Sequence, residues 1–195
     1  MCVDWELKRV SKYGGYEANW DYWSQFVSPL TSRLPYMMLP GNHEATCDET
    51  PYTDYCPSNF ANFTAYRYRV RMPYMESNAS ESQSMWYSFD YSLIHFIALD
   101  SESDFTNPPD IDLLHGASSI FPDITQNQTQ WLQNDLARVN RTLTPYIVVG
   151  AHRSMYTSSA SEQTASANLR AAFESLLIQY NVTLYLNGHI HSYVI

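Results

Sequence analysis

"LYLNGHIHSYVI", Leu184 to Ile195, is the stretch from which the rest of this sequence is best read. A short apolar run, Leu184-Tyr185-Leu186, gives way to Asn187-Gly188 and then to two histidines one residue apart. Such a run, bounded by a glycine, reads as a strand. Side chains just past the carboxyl end of a strand stand where open α/β sheets bind their ligands. If Gly188-His189-Ile190-His191 is extended, both imidazoles lie on one side of it, because alternate residues share a face.

Working outward, the pattern of strand followed by polar loop recurs. "PYMML" reads as a short buried strand running into Gly41-Asn42-His43-Glu44, "HFIAL" runs into "DSESD" at Asp100, and "YIVV" runs into Gly150-Ala151-His152-Arg153. Gly41 and Gly188 are expected to let the backbone turn sharply off each strand. Loops distant in sequence would then converge at one sheet edge. Asn42, His152, His189 and His191 would supply one oxygen and three nitrogens, a donor set suited to zinc, iron or manganese. His95 sits inside an apolar strand and reads as a core or sheet-face residue, while His115 lies in a polar loop. Asp100 reads either as a metal ligand or as the cap of the loop after its strand.

The segments between these loops supply helices. "ANWDYWSQFVSPL" places Trp20, Trp23, Val27 and Leu30 on one helical face, with Asn19 as the expected cap and Pro29 expected to kink or end the helix. A further helix is expected within residues 59–72. "NQTQWLQNDLARVN" turns Trp131, Leu132, Leu136 and Val139 inward, and "SANLRAAFESLLIQY" does the same with Leu169, Phe173, Leu176 and Leu177. "MWYSFDYSLIHFIALD" reads as two strands joined near Asp90 and Tyr91, and "SESDFTNPPDIDLLHGASSIFPD" as a long surface loop. Strands alternating with helices give an α/β layered fold, and 195 residues suit a single domain over 1–195.

Composition bounds the partners and the compartment. Hydrophobic residues make up 45% and charged residues 16%, values of a globular chain. A net charge of -9 argues against nucleic acid, which requires a basic patch. No apolar stretch approaches the length that spans a bilayer. Five sequons, at Asn62, Asn78, Asn127, Asn140 and Asn181, point to a glycosylated chain that is secreted, extracellular or vacuolar. Cys47 and Cys56 flank a short polar loop and are expected to form a disulfide, leaving Cys2 over. The opening "MCVDWELKRVSKYGG" lacks the apolar core of a secretion signal, so the expectation is that the true start lies upstream.

The ordered set Gly41-Asn42-His43-Glu44, Val149-Gly150-Ala151-His152 and Gly188-His189-Ile190-His191 resembles the later motifs of the calcineurin-like metallophosphoesterases. Within them it is most similar to the purple acid phosphatases, in particular the fungal secreted ones, over about Trp20 to Tyr193. The resemblance implies an α-β-β-α sandwich, here partial, and hydrolysis of small phosphate monoesters by a dinuclear centre of Fe(III) with a divalent metal (Zn, Fe or Mn). It implies that Asn42, His152 and His189 ligate the divalent ion, that His191 ligates the iron, and that His43 contacts the phosphoryl group or protonates the leaving oxygen. The family's earlier motifs, Gly-Asp-x-Gly and Gly-Asp-x-x-Tyr, supply two aspartates and a tyrosine and do not occur here. The expectation is therefore a domain incomplete at both ends, with its iron half-site incomplete and its catalysis impaired. A phosphodiesterase of the same superfamily and a non-catalytic glycosylated fragment are the alternatives. Substrate identity and oligomeric state are not fixed by these residues.

Overall fold

A computed structural model describes residues 15–45, 62–109, 120–121 and 126–191. Cys2, Cys47, Cys56 and His115 lie outside the described residues, and so does the expected disulfide. The chain forms α1 (Gly15–Thr31), α2 (Thr64–Arg69), β1 (Tyr87–Tyr91), β2 (Ile94–Ala98), α3 (Gln128–Arg138), β3 (Tyr146–Gly150), α4 (Gln163–Gln179) and β4 (Leu184–Leu186). The strands make one sheet in the order β1-β2-β3-β4. β1 pairs antiparallel to β2, whereas β2, β3 and β4 run parallel. Parallel neighbours require crossovers, and the helices α3 and α4 provide them.

Register assigns every strand residue to a face. Ser88, Asp90, His95, Ile97, Ile147, Val149 and Tyr185 share one face; Phe89, Phe96, Ala98, Val148, Gly150 and Leu186 share the other. The first face is the core side. Ile147 and Val149 are fully buried, in one cluster with Trp131, Leu132 and Leu136 of α3 and Leu169, Phe173 and Leu177 of α4. Val139 and Leu176 pack against it, so both helices present the stripe read from the sequence. The opposite face borders a cavity of about 690 Å³ walled also by Trp20, Trp23 and Tyr36. This mixed α/β arrangement agrees with the layered fold expected.

Several local expectations are corrected. Residues 35–41 form no strand: the Met38 carbonyl accepts hydrogen bonds from the Tyr66 hydroxyl at 3.3 Å and the Tyr87 hydroxyl at 2.6 Å, where a ladder partner would otherwise be needed. Asn19 does not cap α1. The chain is already helical at Gly15, so Asn19 is inside the helix and buried, with no hydrogen-bond partner for its Oδ1 among the described residues. Pro29 lies in the last turn of α1, two residues before its end. The hairpin turns at Ser92, which has a φ of 54°, and Leu93, just beyond the expected site. The stretch 101–105 is buried, not a surface loop, because Ser101, Glu102, Ser103 and Asp104 pair among themselves and with neighbours beneath the sheet edge.

Candidate metal centre

The carboxyl ends of β2, β3 and β4 lie side by side, and the loops leaving them meet the turn that carries Asn42. Asn42 and His43 belong to a single 3-10 turn, Asn42–Glu44, whose entry is fixed by Glu44: its Oε2 accepts from the Gly41 N–H at 2.8 Å. Gly41 is not there to turn the chain, since its φ of -123° suits any residue. It is there for close approach. A Cβ on Gly41 would sit 3.0 Å from the His152 ring, so the imidazole packs directly on the backbone.

Three of the predicted residues converge. His152 Nε2 lies 2.8 Å from Asn42 Oδ1 and 3.1 Å from His189 Nδ1, although these residues are 110 and 37 positions apart in sequence. The two rings meet edge to face at 4.9 Å between centroids. The Gly188 N–H donates to the His152 carbonyl at 2.9 Å, which ties the loop after β4 to the loop after β3. His43 is half-buried beside Asn42, and His191 is exposed at the end of the described segment.

The loop after β4 is not extended as expected. His189 has a φ of 69°, and the Ile190 N–H donates to the Gly188 carbonyl at 2.9 Å, closing a tight turn. Alternation along a strand therefore does not place His189 and His191. The positive φ falls on His189 itself, a strained position of the kind that clusters at ligand sites.

A partner network holds His189 from behind. Its Nε2 lies 3.2 Å from Glu162 Oε2 and 3.0 Å from Arg153 Nη1. Arg153 is buried and bonds Glu102 at 2.7 Å and Glu162 at 2.8 Å. Glu102 is fully buried. Glu102 and Arg153 stand in the loops after β2 and β3 with no role evident from sequence, and Glu162 belongs to no motif. The complementary signs of Glu102 and Arg153 were the available signal, but pairing across 51 residues has no local pattern. Asp100 takes its capping alternative: Oδ1 accepts from the Glu102 and Ser103 backbone, and Oδ2 is bonded to Ser103 Oγ at 2.6 Å. Burial, with the Asp104 charge beside it, pushes its carboxyl up to about 8.

Burial pulls His152 down to about 3, and its neighbours His189 and Arg153 act in the same direction. The ring is therefore neutral in mild acid, the form that ligates metals. Among the described residues no group of three His, Cys, Asp or Glu stands in metal-holding geometry. The convergent trio contains an amide instead of a third such residue, and its donor set of two imidazole nitrogens and one amide oxygen is of a kind that suits borderline divalent cations. The observed separations of 2.8 and 3.1 Å are hydrogen-bond distances, shorter than the ~3.4 Å between ligands that sit about 2.1 Å from a tetrahedral zinc.

Comparison with known proteins adds independent information. Residues 10–193 match the family model described as calcineurin-like phosphoesterase. An acid phosphatase of Aspergillus ficuum is 37% identical over 91% of this chain and 36% of its own length. Purple acid phosphatase 15 of Arabidopsis thaliana is 32% identical over 98% of this chain and 31% of its own. The chain thus spans about a third of these relatives. Among solved structures, a purple acid phosphatase from yellow lupin (Lupinus luteus) seeds superposes with a TM-score of 0.61 at 23% identity, over 91% of this chain and 28% of that one, a likeness of fold.

Proposed function

We propose that this chain, which belongs to the calcineurin-like phosphoesterase family, carries the divalent-metal half of an acid phosphatase centre that hydrolyses small phosphate monoesters. The observation that supports this most is the meeting of Asn42 Oδ1, His152 Nε2 and His189 Nδ1 within 3.1 Å of one another along two links. These three residues would hold one divalent ion (Zn, Fe or Mn). His191 would serve the neighbouring Fe(III), whose carboxylate and tyrosine ligands the family draws from motifs that these 195 residues do not contain. Such ions, when bound, act as Lewis acids and lower the pKa of water. The chain's own residues do the rest. Gly41 admits the His152 ring, Glu44 fixes the turn that aims Asn42, and His43 stands beside Asn42 to contact the phosphoryl group or protonate the leaving oxygen. Names of the relatives, acid phosphatase and purple acid phosphatase, favour a monoester substrate. Exposed sequon asparagines at 78, 127, 140 and 181 favour a glycosylated, secreted or vacuolar protein.

The test is hydrolysis of p-nitrophenyl phosphate at acidic pH with iron and zinc supplied. It is run on this chain and on a longer polypeptide that adds the two missing motifs. The longer form is expected to be active and this chain weak, because one cation cannot clamp both the attacking and the leaving oxygen. His152→Ala in the longer form should lower kcat/KM by at least ~100-fold, a loss typical of removing one electrostatic contact to the transition state. Undiminished activity in that variant would remove His152 from the site.

A further inference from the structure

Glu162 lies outside every motif of this site, on a 3-10 turn (Ala160–Glu162) just before α4, yet it reaches the far nitrogen of His189. We infer that Glu162 is a positioning residue that fixes the proton of His189 on Nε2 and thereby turns the Nδ1 lone pair toward Asn42 and His152. This rests on the reading of His189 as a metal ligand.

A neutral imidazole carries one ring proton. On Nδ1 it would point at His152 Nε2, 3.1 Å away, and block that nitrogen as a ligand. Nε2 would then accept from Arg153 Nη1 at 3.0 Å. On Nε2 the proton would instead face Glu162 Oε2, whose carboxylate lies within ion-pair distance at 3.2 Å. Either bond is charge-assisted, so the choice turns on Arg153, whose guanidinium is already taken by Glu102 and Glu162. Arg153 reinforces the choice by donating from Nη1 to that same oxygen at 2.8 Å.

Arg153 cannot swing away to serve His189 alone. Its Nε is held by Glu102 Oε2 at 2.7 Å, and Glu102 Oε1 accepts from Ser101 Oγ at 2.9 Å. Ser101 Oγ in turn accepts from the Arg153 N–H at 2.9 Å, and the Tyr185 hydroxyl donates to the Arg153 carbonyl at 2.8 Å. The clamp thus gathers the ends of β2, β3 and β4 behind one imidazole. Carboxylates that accept the distal N–H of a ligating histidine set its tautomer, and their loss costs about 10–100-fold in metal affinity.

Two measurements test this. In the metal-free 195-residue chain, long-range 15N correlation spectra should show His189 protonated at Nε2, and Glu162→Ala should shift it toward Nδ1. Calorimetric titration with Zn²⁺ should show about 10–100-fold weaker binding in Glu162→Ala. Glu162→Gln, whose amide oxygen still accepts, should recover part of that loss. Unchanged melting temperatures would exclude a folding defect, and the Glu162 side chain is already 24% exposed. A wild-type His189 protonated at Nδ1, or Zn²⁺ affinity equal in wild type and Glu162→Ala, overturns the inference. Failure of the wild type to bind Zn²⁺ at all overturns the metal-site reading instead, while the tautomer still decides the role of Glu162.

Discussion

His95 is held between two carboxylates, with Nδ1 2.6 Å from Asp90 Oδ1 on β1 and Nε2 2.9 Å from Asp135 Oδ2 on α3. Asp135 also accepts from Ser88 Oγ at 2.9 Å. Burial pushes the imidazole down, but the bonds to Asp135 and Asp90 and their charges outweigh it and raise its pKa. The sign follows. A folded pKa above the unfolded value of about 6.5 stabilises the fold at low pH, and that contribution is lost as pH rises through the folded pKa. Chemical denaturation of the wild type should therefore show this loss above about pH 6.5, and His95→Gln should not; parallel pH profiles would contradict the charged pair. At this scale Asn42, His152 and His189 were legible because residues of ligating type recur beside glycines after apolar runs. Glu162 was not, because nothing local distinguishes it from any surface glutamate. His189's turn was misjudged, because a positive φ at a histidine is imposed by tertiary bonds.

Element α3 starts where its sequence says it should. The Asn127 side chain accepts from the Gln130 N–H at 2.9 Å and satisfies one of the first-turn donors. Asn127→Ala is expected to lower unfolding free energy by about 1 kcal/mol, and Asn127→Asp to keep it, in material lacking glycans. Equal losses in both variants, measured by urea denaturation, would show that the cap is not the cause. Here the periodicity was enough, since α3 and α4 each bury one continuous stripe. It failed for residues 35–41, where tyrosine hydroxyls from distant segments occupy the Met38 carbonyl and no sequence window contains both partners. Asn19 failed differently: a good capping residue is only a cap if the helix starts there, and α1 is already helical four residues earlier.

Across the whole molecule the two sheet faces differ. Phe173 is fully buried, with the Phe105 ring 5.4 Å away. Phe96 lies on the other face, stacked on Phe89 at 5.2 Å and open to the 690 Å³ cavity. Phe173→Ala should cost about 3–5 kcal/mol, and Phe96→Ala only about 1–2 kcal/mol, from the stacking and partial burial it loses. Comparable losses would mean that both faces are equally packed. The proposed metal centre sits at the edge these faces share, where the ends of three strands meet. The most direct test of that centre is zinc X-ray absorption on the zinc-loaded chain. The account predicts one zinc per chain, at least two histidine nitrogens at about 2.0–2.1 Å, and loss of that shell in His152→Ala. Zinc bound without imidazole scattering, or an unchanged spectrum in His152→Ala, would contradict it.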